Sequence, residues 1–219
     1  MGRWIREHGL VTVNAALFVV FVIGMTVTGW QVSNDDLVQH GAAAQGLGAY
    51  LASGDFAEAL FENWESEFLQ MGSYVVLTVF LFQKGSPESK PIGQPSPQDE
   101  DPRLHAGDRD APWPVRRGGW VLVLYENSLL VLFAVLFIAA FAMHAVGGAA
   151  GYSEEQHLHG QPGVTPLEYL GTSQFWFESF QNWQSEFMVV AVLAGAAVYL
   201  RQRGSGESKP VAMAHGRSQ

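Results

Sequence analysis

The chain has 219 residues, of which 48% are hydrophobic and only 15% charged, against about 25% charged in an ordinary soluble domain. A formal net charge of −9 disfavours nucleic acid as a partner, and the absence of cysteine excludes disulfides, thiol chemistry and Cys-ligated metal. The apolar residues gather in long blocks, which points to a membrane rather than to a soluble core.

Taken in chain order, the first block runs from Val11 to Trp30, interrupted only by Asn14, threonines and glycines. It is long enough for a spanning helix, which needs about 20 residues. Arg3 and Arg6 precede it as they would a signal peptide, but the run exceeds an h-region of about 7–15 residues and no small-x-small site follows directly. An uncleaved helix over about 11–30 is expected. An acidic loop with Asp35, Asp36 and His40 comes next, then a Tyr50-Leu51 segment and an amphipathic helix with Asp55 as its expected N-cap. That helix runs into a second span, about 64–83, whose apolar core from Phe68 to Phe82 would cover only about 22 Å. Lys84 anchors its inner end.

Residues 92–118 are rich in Pro, Asp, Gly and Arg and are expected to be a disordered cytoplasmic linker. The third span, about 120–147, is broken near its start by Glu126-Asn127 and near its end by His144, expected to be a packing residue that finds a partner. A second outer loop carries Glu154, Glu155, His157 and His159, then Tyr169-Leu170 and an expected N-cap at Ser173. The fourth span, about 182–201, ends in Arg201 and Arg203, and residues 211–219 form a tail. All twelve Lys and Arg lie in the N-terminus, the linker or the C-terminal region, while segments 31–67 and 149–186 hold none of them and twelve of the 21 acids. The positive-inside rule then puts both termini in the cytoplasm.

Shifted by 119 residues, 4–91 aligns with 123–210 without a gap, with 27 identities in 88 positions. Phe61-x-Asn63-Trp64-x-Ser66-Glu67-Phe68 returns as Phe180-x-Asn182-Trp183-x-Ser185-Glu186-Phe187. Gly85-Ser86-x-Glu88-Ser89-Lys90-Pro91 returns as Gly204-Ser205-x-Glu207-Ser208-Lys209-Pro210. Two spans per copy make the copies parallel, related by an axis along the membrane normal. The expected fold class is an all-α membrane protein, four transmembrane helices built as two tandem helical-hairpin repeats (1–91 and 119–210) with short amphipathic outer helices.

Three constellations carry polar chemistry. Asn63, Trp64, Ser66 and Glu67 with Asn182, Trp183, Ser185 and Glu186 form a collar in the outer leaflet region. It reads either as a cation or proton site at Glu67 and Glu186, expected to share a proton, or as an interfacial belt that anchors the hairpins. Glu7 and Glu126 form an inner pair, either a gate or ordinary helix N-terminus chemistry. Asp35, Asp36, His40, Glu154, Glu155, His157 and His159 are weak metal candidates, because carboxylates with imidazoles bind divalent metal. No catalytic motif is present, so no enzyme, catalytic residue or cofactor is expected.

The two motifs together resemble a family of small bacterial four-helix membrane proteins known only as a domain of unknown function. The resemblance covers essentially the whole chain and implies membrane location and four helices, but no activity. The second copy departs from the first at Gln181 and Gln184, where the first has Glu62 and Glu65. The expected partners are the lipid bilayer and a membrane-protein partner or a second copy, in the bacterial inner membrane. The expected role is a structural or accessory subunit, with a small cation or proton transporter or channel as the alternative.

Overall fold

A computed structural model of the chain describes residues 3–217, with side chains from Trp4 onward. Among these residues the secondary structure is helical, without strands. The helices are α1 (Arg3–Gln39), α2 (Leu47–Leu51), α3 (Gly54–Phe80), α4 (Trp113–Arg117), α5 (Gly119–Glu126), α6 (Ser128–Leu158), α7 (Pro166–Tyr169) and α8 (Ser173–Ala196).

Two of them are long and apolar enough to cross a membrane. Trp4–Gln39 holds an 18-residue stretch of mean hydropathy 2.4 and Ser128–Leu158 one of 2.7. Polar side chains inside these runs return their donors to the helix's own backbone, which removes the cost of an unsatisfied group in an apolar medium. Thr12 Oγ1 bonds His8 O, Asn14 Nδ2 bonds Leu10 O and Thr28 Oγ1 bonds Gly24 O, each at 2.8 Å. The third span, expected as one helix over about 120–147, is divided where Glu126-Asn127 interrupts its apolar run: Asn127 ends α5 with φ −108 and ψ 7, and its side chain bonds Val123 O at 2.8 Å.

Expected spans two and four are shorter than the sequence suggested. α3 stops at Phe80 rather than 83, and α8 at Ala196 rather than 201. Their first halves are polar enough that neither is an apolar spanning helix by length and composition. The expected N-caps are also displaced. The hydroxyl of Ser53, not Asp55, accepts from Phe56 N, and that of Thr172, not Ser173, accepts from Phe175 N. A cap must sit three residues before the N–H that it satisfies, and Asp55 and Ser173 already lie inside the first turn.

The chain divides into two compact units. The first comprises residues 1–61 and 142–175, the second 62–141 and 176–219. In the first unit the start of α3 lies against the end of α6 through glycines. A Cβ on Gly147 would meet Glu58 N at 2.6 Å and the Ala57 Cβ at 2.8 Å, and one on Gly54 would meet Gly151 and Ala150. Gly147-x-x-x-Gly151 is thus a small-residue stripe of the kind that lets membrane helices approach closely.

The same local contacts recur at positions 119 apart. The Tyr50 ring lies on Gly29, and the Tyr169 ring on Gly148. Asn34 holds the N–H and carbonyl of Gln45, and Ser153 those of Val164. Beyond α3, Gln83 N donates to Ser89 Oγ at 2.9 Å; beyond α8, Gln202 N donates to Ser208 Oγ at 2.8 Å. Gly85 and Gly204 take φ of 84 and 87, a left-handed turn that needs glycine.

The linker carries short helical turns. Short 3-10 turns at Pro97–Asp99 and Pro102–His105 precede α4, and Val115 is buried. Proline at the start of each turn lowers the entropy lost on ordering, Asp101 caps the second turn through Arg103 N, and Lys90 Nζ bonds Asp99 at 2.6 Å.

Candidate functional site

The Asn-Trp-x-Ser-Glu-Phe motif of α3 lies in the second unit. Asn63 and Glu67 do share a helix face, as their spacing requires, but that face is exposed. The buried face carries Glu65, Ser66 and Gln70. Glu65 is 0% exposed, and its Oε1 accepts the indole N–H of Trp183 at 3.0 Å. The enclosed carboxylate of this motif is therefore Glu65, not Glu67. Attention to what both copies share hid it, because the matching position in the second copy is Gln184, which is exposed.

In the second copy Asn182, Trp183, Ser185 and Glu186 are half-buried. Ser66 and Ser185 each donate to the carbonyl of their motif Asn, Asn63 and Asn182, at 2.8 Å. Trp183 also lies edge-on to Phe180 and Trp176, with ring centroids 5.5 and 6.3 Å away. Glu67 and Glu186 lie near enough for their charges to interact. Of the inner pair, Glu7 and Glu126 are both exposed.

A carboxyl pair does form between repeat-equivalent positions, at the ends of the two hairpins. Glu88 hydrogen-bonds Glu207, and the Tyr74 hydroxyl reaches Glu88 Oε2 at 3.4 Å. Burial, then the hydrogen bond to Glu207, then the Glu207 charge push the Glu88 carboxyl above the ordinary glutamate range. A raised folded-state value means that folding binds a proton here. Its stabilising contribution is full below the ordinary range and is lost as pH rises through the raised value. The thermal midpoint of the detergent-solubilised protein is expected to fall across that window, and both Glu88→Gln and Glu207→Gln to flatten the decline. A pH profile unchanged in both variants would contradict the pairing.

The first unit holds a cluster around His144, the residue expected to pack against a partner, whose neighbours the sequence reading did not single out. His144 on α6 is 0% exposed and stacks on Phe175 with centroids 4.7 Å apart. Tyr169, also 0% exposed, meets Phe175 edge-on at 5.7 Å and donates its hydroxyl to Glu58 Oε1 at 3.3 Å. His144 and Glu58 offer donor atoms within 4.8 Å of each other. His144 and Glu58 replace Met25 and Phe177 of the other copy, so a search for what both copies share passes over them. The available signal was an ionisable residue in an otherwise apolar span, a mark of function by default.

The loop acids and histidines behave differently. His40 Nδ1 turns back to Asp36 O at 3.0 Å, and His159 Nδ1 to Glu155 O at 2.9 Å. Among the described residues, Asp35, Asp36, His40, Glu154, Glu155, His157 and His159 furnish no three donor groups converging on one point.

The fold and these sites define an all-helical protein with two helices able to cross a membrane and with ionisable side chains enclosed among its helices. The chain belongs to the family described as a domain of unknown function (DUF6766), whose model matches residues 1–219. No curated protein and no solved structure matches it.

Proposed function

We propose that the chain is a multi-pass inner-membrane protein, with four spanning helices in two parallel hairpin repeats and both termini cytoplasmic, that serves as a structural or accessory subunit rather than an enzyme. The single observation carrying this role is the use of Glu65. The one fully enclosed carboxylate of the collar is committed to the Trp183 indole, as a latch would be. Next to the collar, a cleft of about 410 Å³ is walled by Phe68, Gly72, Val76, Leu130, Phe133 and Phe137, with Ser73 its one hydroxyl. An apolar wall offers no route for a hydrated ion. The short second and fourth helices are compatible with spanning because their polar first turns reach the headgroup level, where Trp64 and Trp183 act as interfacial anchors.

A transport reading is favoured by one observation, the nearness of Glu67 and Glu186. Crosslinking in native membranes followed by purification separates the two. The accessory reading expects the chain to emerge with one fixed membrane partner. Emergence alone, with cation or proton flux in liposomes that Glu186→Gln abolishes, would overturn it. Topology is tested by reporter fusions after Arg203 and within 92–118, expected to work only with a cytoplasmic reporter; a periplasm-active fusion at either place would overturn the orientation.

A further inference from the structure

We propose that Lys84 and Arg217 form a binding site for a phosphate group, in a cavity of about 580 Å³ inside the second unit. Lys84, Pro91, Ile92, Gln94, Gly216 and Arg217 line it, so its walls carry two cations and an amide but no acid. In a chain with 21 acidic side chains and 12 basic ones, that is the reverse of the average. Among the described residues, neither the Lys84 nor the Arg217 side chain has a hydrogen bond or an ion pair. The acids of the adjoining cavity are engaged elsewhere, Asp99 with Lys90 Nζ at 2.6 Å and Glu88 with Glu207. A guanidinium is a rigid fork that matches phosphate oxygens and an ammonium is a compact point charge, so the two together suit a phosphate.

The fold sets the two cations side by side. Lys209, 1% exposed, donates from Nζ to His215 O at 2.7 Å and to Arg217 O at 3.1 Å, and Arg201 Nη2 donates to Met213 O at 3.2 Å. Gly85, in its left-handed turn, leaves room for His215 O, which a Cβ would meet. These contacts hold residues 213–217 against the turn after α3, where a Cβ on Gly216 would lie 4.0 Å from Lys84 Cε. Two like charges in one cavity without an acid repel each other, and a bound anion turns that repulsion into attraction to both. Lys84 matches Arg203 of the second copy, which is outside the cavity, so one chain carries one such site. Basic pockets at the cytoplasmic ends of spanning helices take anionic lipid headgroups. A headgroup as the source of the phosphate rests on the membrane reading above, whereas free phosphate does not.

The test is equilibrium dialysis of the detergent-purified full chain against inorganic phosphate in one arm and short-chain phosphatidylglycerol in another, with short-chain phosphatidylcholine, which has no net charge, as the control. Saturable binding at one site per chain is expected for at least one of the two anions. A preference of about tenfold for phosphatidylglycerol identifies a headgroup as the source, and the opposite preference identifies free phosphate. Lys84→Gln and Arg217→Gln lie at exposed positions and should leave the thermal midpoint unchanged, while each weakens binding by about tenfold. Arg203→Gln removes the same charge outside the cavity and is expected to change binding by less than about twofold. No saturable binding of inorganic phosphate or of phosphatidylglycerol beyond that of phosphatidylcholine would overturn the site. Equal losses in Arg203→Gln and in the two cavity variants would overturn it too. Orientation does not enter a measurement in detergent. A periplasm-active fusion would therefore overturn the topology and leave the site standing, whereas absent binding with cytoplasmic fusions would overturn the site alone.

Discussion

Trp183→Ala is expected to lower stability by about 4 kcal/mol, seen as a large drop in the thermal midpoint of the detergent-solubilised protein. Two effects add. The indole leaves a hole beside Phe180 and Trp176, a loss of about 3 kcal/mol for a ring of this size. Glu65, 0% exposed, is left buried without its Trp183 donor, at a further cost of about 1–3 kcal/mol. The total sits at the lower end of the sum because Trp183 is only half-buried. Trp183→Phe keeps a ring and removes the N–H, so it isolates the hydrogen bond. In a cycle with Glu65→Leu, which removes the acceptor, the two changes together should cost less than their sum, by about 1 kcal/mol. Strict additivity would show that the pair does not interact and would remove the observation on which the accessory role rests. Glu67→Gln should be mild, because that carboxylate is exposed.

Gly147→Leu should be comparably severe, at about 3 kcal/mol, by overpacking. Even a single methyl on Gly147 would collide with the backbone nitrogen of Glu58, an atom that cannot swing aside as a flexible side chain can. Gly147→Ala is therefore expected to cost about 1–2 kcal/mol, despite the better helix propensity of alanine. Gly24 on α1 is the control. A Cβ there meets nothing within 4 Å, so Gly24→Ala should be neutral or slightly stabilising. Equal effects at the two glycines would mean that α3 and α6 do not approach here as described.

The sequence by itself determined a good deal. Twenty or more apolar residues in a row have one economical structure, a helix whose polar groups bond inside it, so α1 and α6 were legible from composition. The turns that end the hairpins were legible too. Gly85 and Gly204 sit in heptapeptides that match at six of seven positions, and serines at matching positions bond matching amides, because such contacts span only a few residues and local sequence dictates them.

Tertiary structure decided the rest, and the physical reason is distance along the chain. Helical spacing puts Asn63, Ser66 and Glu67 near one another, but which side chains turn inward depends on what packs against them, and Ser66 is buried while Asn63 and Glu67 are exposed. Packing chose Glu65, whose partner Trp183 is 118 residues away. Internal repetition drew attention to residues that both copies keep, while Glu65, Glu58 and His144 stand where the copies differ. A carboxyl pair at positions 119 apart also forms at Glu88 and Glu207, in the turns after α3 and α8, where two like charges come together at the cost of a bound proton. No periodicity in the sequence encodes that meeting; it depends on where two separate turns come to rest.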